Sequence, residues 1–167
     1  MTQVLISIGS NKNNPQHQID LAFTRIKHQF GNAALSPLYL TEPVGGIKQD
    51  AFVNGAIKME TQLGAREVLS LLMDIEREAH RDRENEIPNG PRNLDLDIIL
   101  FGNEIISESD LRIPHPRFRD RRFVLQPLHD IASEHTDPVS KNSISQLLAV
   151  CTDTSWVKEL KTELLAQ

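Results

Sequence analysis

Two carboxylates sit inside an apolar run, and that placement limits what the chain can build. Residues 90–102 read Gly-Pro-Arg-Asn-Leu-Asp-Leu-Asp-Ile-Ile-Leu-Phe-Gly. The second half is short, rich in Ile and Leu, closed by a glycine and preceded by a Gly-Pro turn, so it reads as a buried strand rather than a helix. Side chains alternate along a strand, which puts Asp95 and Asp97 on one face and Leu94, Leu96 and Ile98 on the other. Like charges side by side repel, and burying them costs desolvation. Either the acidic face looks into water, as the polar side of an antiparallel sheet does, or a cation lies between the two. Asp-x-Asp alone favours water. For a cation, Mg²⁺ is the match, since it takes oxygen ligands and is typically held by one or two carboxylates plus substrate phosphates.

The distribution of charge favours the cation. A formal net charge of −5 argues against general nucleic-acid binding. Yet nine of the eleven arginines fall between Arg77 and Arg122, an interval without a lysine. Lysine would serve solubility equally well; the planar guanidinium fork suits phosphate oxygens. An acidic protein with an arginine-only centre implies a small, highly phosphorylated ligand. At 167 residues the chain is expected to form one domain, 1–167, with a proper core. Cys151 is the single cysteine, which excludes an internal disulfide and a cysteine-based zinc site. No apolar run approaches membrane-spanning length, and residues 1–5 lack a signal-peptide pattern. A cytoplasmic protein with no membrane partner is expected.

In chain order, Val4–Ile8 predicts a strand and Pro15–Phe30 a helix, with Ile19, Ala22, Phe23, Ile26 and Phe30 at helical spacing and Gly31-Asn32 as its stop. Leu35–Leu40 and Phe52–Glu60 predict two more strands, joined through the glycine-bearing turn Thr41-Glu42-Pro43-Val44-Gly45-Gly46. A second helix is expected over Ala65–Ala79, then a polar loop His80–Asn89, then the carboxylate strand. Gly102-Asn103 predicts a tight turn into a partner strand Glu104–Ile106. Leu111–Arg117 is extended and stiffened by prolines. Helices are expected over Phe123–Ile131, Ile144–Val150 and Trp156–Leu165. Helices mixed with hairpins predict an α+β fold with a mostly antiparallel sheet.

Three segments resemble one family. They are Thr41-Glu-Pro-Val-Gly45 with Phe52 and Asn54 downstream, Gly90-Pro-Arg-x-Leu-Asp-Leu-Asp-Ile98, and Pro114-His-Pro116 followed by Arg121-x-Phe-Val-Leu-x-Pro-Leu128. The opening Ile8-Gly9-Ser10-Asn11 fits too, and the likeness runs from about Val4 to Ile131. In order and spacing they resemble 6-hydroxymethyl-7,8-dihydropterin pyrophosphokinase, which moves pyrophosphate from ATP to a pterin alcohol in folate synthesis. The resemblance implies a three-layer, ferredoxin-like fold and a Mg²⁺-dependent monomer. It implies that Asp95 and Asp97 hold two Mg²⁺ ions on ATP. Arg92, His115 and Arg121 would face the nucleotide and its phosphates, with Glu76 and Ile98 beside the nucleotide. Arg81 and Arg83 would belong to a loop closing over ATP. Phe52 and Phe123 would sandwich 6-hydroxymethyl-7,8-dihydropterin, whose edge would be read by Asn54 and by Thr41, Pro43, Val44 and Gly45.

The chain departs from the family pattern around that loop. Asn89 stands where an aromatic usually precedes Gly-Pro-Arg, His80 replaces a glycine, Met73 replaces a glutamine, and Glu84 and Glu86 dilute the loop's positive charge. The departures keep a second reading open, a catalytically weakened relative acting as a pterin- or nucleotide-binding module. A third is a metal-dependent phosphohydrolase built on Asp95 and Asp97. Arg77, Arg117, Arg119 and Arg122 read as solvated surface, Trp156 as the anchor of the C-terminal segment, and Cys151 as a small buried residue.

Overall fold

The computed structural model describes residues 1–79 and 90–161. Its middle layer is a six-stranded antiparallel sheet. β1 (Thr2–Ser10) and β4 (Phe52–Thr61) pair along their length, and β5 (Asp95–Phe101) pairs with the other side of β1. β2 (Ala33–Leu35) and β3 (Tyr39–Thr41) both pair with β4, and β8 (Val157–Glu159) extends the sheet beyond β3. A separate two-stranded ribbon joins β6 (Ile106–Ser107) to β7 (Arg112–Ile113).

Helices lie on both faces. α1 (Pro15–Phe30) starts on a proline, where the missing N–H costs no hydrogen bond, and buries Ile19, Ala22 and Ile26. Gly31, at φ +80°, ends it and donates its N–H to Lys27 O at 2.7 Å. α2 (Ala65–Glu78) buries Val68, Leu72 and Ile75 in one cluster with Leu94, Leu96 and Ile98. On the opposite face α3 (Arg122–Ala132) and α4 (Ile144–Val150) pack Val124, Leu125, Leu128, Ile144 and Leu147 against Leu5, Ala56, Ile99 and Leu100. The strand–helix–strands–helix–strand order from β1 to β5, with β1 between β4 and β5, is the ferredoxin-like arrangement that the family resemblance implies.

Five expectations are corrected. Leu35–Leu40 is two short strands, because Pro37 has no N–H for the ladder and Ser36 takes over locally: its N–H donates to Ala56 O and its Oγ accepts from Ala56 N, each at 2.8 Å. Glu104–Ile106 does not pair with β5. The outer edge of β5 is already used, by Glu76 Oε2 on Leu96 N–H (2.9 Å) and by His115 N–H on Ile99 O (2.9 Å). Trp156–Leu165 is not helical over its described part: Val157–Glu159 pairs with the edge of β3, where unpaired backbone groups outweigh helical spacing, and residues 162–167 lie outside the described residues. Arg119 and Arg122 are not solvated surface. Arg119 forks onto the fully buried Asp137 (Nε to Oδ2 2.5 Å, Nη2 to Oδ1 3.0 Å) over the Phe118 ring. Arg122 bonds the C-terminal segment through both backbone and side chain. Cys151 is half-buried rather than buried.

Candidate active site

Three neighbouring strands build a floor on the face that α3 covers. Passing from under the helix towards the strand ends, β1 presents Leu5, Ser7 and Gly9, β4 presents Ala56, Asn54 and Phe52, and β5 presents Ile99, Asp97 and Asp95. The apolar ends are core. The small, polar and flat ends open into a hollow of about 630 Å³, mouth included. Strand register aligns Asp95, Gly9 and Asn54 in one row and Asp97, Ser7 and Ala56 in the next. Both carboxylates therefore share the face that alternation predicted, and both line the hollow. Gly9 is what lets this row pack: a β-carbon there would lie 2.3 Å from Asn54 Oδ1. The other end of that amide, Nδ2, donates to the buried Thr41 Oγ1 at 2.6 Å.

Two half-buried rings, Phe52 from β4 and Phe123 from the first turn of α3, line the same hollow. The Arg121 guanidinium stands 5.6 Å from the centre of the Phe123 ring. Thr41 lines the hollow from the end of β3, and Glu42 and Val44 from the turn after it; Pro43 and Gly45 belong to this turn but not to the lining. Gly45 and Gly46 take positive φ (87° and 73°), which bends the turn at little steric cost. Ser7, Ile99 and Val124 also line the hollow, and sequence reasoning named none of them as site residues.

Arg92 Nη1 lies 3.7 Å from Asp95 Oδ2. Its backbone is clamped to the end of β1: Asn11 N–H donates to Arg92 O (3.0 Å), and Asn11 Oδ1 accepts from Arg92 N–H (2.8 Å). The Asn11 amide also donates to Gln49 Oε1 (2.8 Å) and Asp50 O (2.9 Å), so one side chain ties three distant segments. His115 Nδ1 accepts the Arg117 N–H at 3.1 Å, which leaves Nε2 as the protonated, donating nitrogen. Burial, reinforced by Arg121 and Arg117 and opposed by Asp95, pushes the His115 pKa down to about 4, so the ring is neutral near pH 7. Arg121 is also lowered, by burial first and then by Arg117, while Asp97 and Asp95 favour its charge.

A second hollow of about 1010 Å³ lies along the other side of β5. Leu69 and Met73 of α2, Ile98, Leu111, Arg112 and Pro116 line it, together with Asp97 and His115, which line the first as well. The two hollows thus meet at a carboxylate and a neutral imidazole. Glu76 lines neither. It is 2% exposed, and its bond to Leu96 N–H makes it a support for the carboxylate strand. Arg81 and Arg83 lie outside the described residues. The guanidinium groups and the imidazole N–H suit an anionic ligand, and the hard carboxylate oxygens on the floor suit a divalent cation beside it. The phenyl pair suits a flat ring.

Residues 5–133 match the model of a family described as 7,8-dihydro-6-hydroxymethylpterin-pyrophosphokinase (HPPK). The chain is 37% identical over 151 residues to the 2-amino-4-hydroxy-6-hydroxymethyldihydropteridine pyrophosphokinase of Pseudomonas aeruginosa, covering 89% of this chain and 91% of that one. With the same enzyme of Haemophilus influenzae it shares 38% over 161 residues, covering 95% and 98%. Among solved structures, Plasmodium falciparum HPPK-DHPS with SDX-DHP matches with a TM-score of 0.68 at 15% identity. That likeness of fold covers 89% of this chain and 43% of the longer one.

Proposed function

The chain belongs to the 7,8-dihydro-6-hydroxymethylpterin-pyrophosphokinase family, and from that membership we propose how its residues divide the reaction between them. The reaction is pyrophosphoryl transfer from ATP to the hydroxymethyl group of 6-hydroxymethyl-7,8-dihydropterin, a step of folate biosynthesis. The alcohol oxygen bonds to the β-phosphorus, the bond from that phosphorus to the α-phosphate oxygen breaks, AMP leaves, and the alcohol gives up its proton.

The row Asp95–Gly9–Asn54 carries the assignment, because it sets a carboxylate and an amide on either side of a glycine on one floor. The pterin lies between Phe52 and Phe123 and presents its hydrogen-bonding edge to Asn54 and to the turn Thr41–Gly45. The nucleoside occupies the second hollow, against Ile98 and Met73, so its phosphates pass the point where the hollows meet. There His115 donates from Nε2 to a phosphate oxygen, and Arg92 and Arg121 offset charge as the bond to AMP loosens. Arg81 and Arg83, which lie outside the described residues, would add positive charge for the phosphates. Glu76 acts indirectly, by holding β5.

Asp95 and Asp97 fit Mg²⁺, since both are hard oxygen donors on one face beside the phosphate path. Two bound ions would supply charge neutralisation for the triphosphate and a lowered pKa for the attacking alcohol. The reading takes residues 1–167 as one catalytic domain working as a cytoplasmic monomer. No helix among the described residues is long and apolar enough to cross a membrane.

The test is a single turnover with protein in excess over labelled ATP. AMP should form with Mg²⁺ and 6-hydroxymethyl-7,8-dihydropterin together and stay at background without the pterin. Phosphate release from ATP in the absence of pterin would instead indicate a phosphohydrolase, and normal pterin binding without AMP a binding module.

A further inference from the structure

Residues 151–160 lie beyond the part of the chain that the family model matches, yet they touch both walls of the first hollow. At one end, Asp153 Oδ2 accepts the Arg122 N–H at 2.9 Å, one of the first-turn amides of α3 that no helical carbonyl can satisfy. The Arg122 side chain returns the contact, donating from Nε to Asp153 O (2.9 Å) and from Nη2 to Cys151 O (3.1 Å). Phe123 is the next residue along α3. At the other end, the Trp156 N–H donates to Glu42 Oε2 (3.1 Å), and the Glu42 N–H donates to Trp156 O (3.2 Å). β8 then pairs Val157 with Thr41, and Leu160 N–H donates to Leu38 O at 2.8 Å. Between the two ends, Asp153 Oδ1 accepts the Ser155 N–H (2.9 Å), so one carboxylate both shapes the segment and docks it on α3.

β3 is three residues long, and the turn after it carries two glycines at positive φ, so this wall has little regular structure of its own. Phe123 is placed by the first turn of a helix whose N-cap residue, Arg121, makes no side-chain cap. Both walls need outside support, and the same ten residues give it to both. Trp156 takes part through its main chain: its indole is 39% exposed, with Lys158 Nζ 5.5 Å from the ring, and is not the anchor that sequence reading made it.

We propose that Cys151–Leu160 is a positioning element for the pterin, setting the spacing between the Thr41–Gly45 turn and Phe123. The inference rests on assigning the first hollow to the pterin. It differs from a general stabilising role in what it leaves alone, because the bonds described reach Thr41 and Glu42 of the first hollow's lining and no residue lining the second.

The experiment is steady-state kinetics on the full chain for wild type, Asp153→Ala, Asp153→Asn and Arg122→Lys, with melting temperatures for each. Asp153→Ala should raise the pterin KM about five- to tenfold, with kcat and the ATP KM within about twofold of wild type. Asp153→Asn keeps a carbonyl acceptor and should recover most of that loss. Arg122→Lys keeps the charge but loses the fork; it should shift the pterin KM in the same direction by about threefold, and it serves if the alanine variant fails to fold. A lower melting temperature with an unchanged pterin KM, or an equal rise in both KM values, overturns the proposal. Wild-type AMP formation is the control: without it the site assignment falls, whereas with it only the positioning claim is at stake.

Discussion

Gly9 and Asn54 face each other across β1 and β4, close enough that a β-carbon on Gly9 would lie 2.3 Å from Asn54 Oδ1. The floor of the hollow proposed for the pterin is therefore set by a missing side chain as much as by those present. Gly9→Ala must push the Asn54 amide off its bond to Thr41 or move the strand. Overpacking of this kind costs about 1–3 kcal/mol. The expected result is a pterin affinity lowered about tenfold, read by titration, with a smaller change for an ATP analogue. Unchanged pterin affinity would show that Asn54 does not read the ring.

Arg119 and Asp137 form a second test, away from the chemistry. Asp137 is fully buried and accepts from the Arg119 fork, the Ser140 hydroxyl and two backbone N–H groups. Burial alone would raise its pKa; Arg119, Ser140 and the Val139 N–H outweigh that and bring it to about 2. Arg119→Ala strands the carboxylate, and should cost about 3–5 kcal/mol in denaturant unfolding. Both KM values should hold in whatever fraction remains folded. A stability change below about 1 kcal/mol would mean that water reaches Asp137 freely.

His115 makes stability depend on pH with a definite sign. Its folded pKa of about 4 lies below the ordinary 6.5, so the unfolded chain binds a proton at pH values where the folded chain does not. The protein is spared this penalty above about pH 6.5 and meets it progressively as pH falls towards 4. Between pH 7 and pH 5 this group should remove about 2 kcal/mol of unfolding free energy. His115→Gln should lack that part of the slope. Superimposable pH profiles for the two proteins would contradict a buried, neutral imidazole.

Much of this was legible in the sequence where the cause is local. Alternation placed Asp95 and Asp97 on one face and Leu94, Leu96 and Ile98 on the other, and helical spacing found α1 and α2 nearly to their ends. What the sequence hid depends on partners far along the chain. Glu76 is acidic on paper, and its bond to Leu96 N–H exists only because β5 is an edge strand against α2. Asn11 reads as a turn residue until Arg92, Gln49 and Asp50 converge on it. Val157–Glu159 has a helical neighbourhood in sequence and becomes a strand because β3 leaves an edge open. Trp156 drew attention as an aromatic, but its backbone makes the bonds to Glu42.

The central claim is that Asp95 and Asp97 bring a divalent cation to the phosphates of ATP. Its most direct measurement is calorimetric titration of a nonhydrolysable ATP analogue, with and without Mg²⁺, into wild type and into Asp97→Ala of equal thermal stability. Mg²⁺ should tighten binding to wild type by at least about tenfold and should add almost nothing to the variant. An equal gain from Mg²⁺ in both proteins would contradict the account.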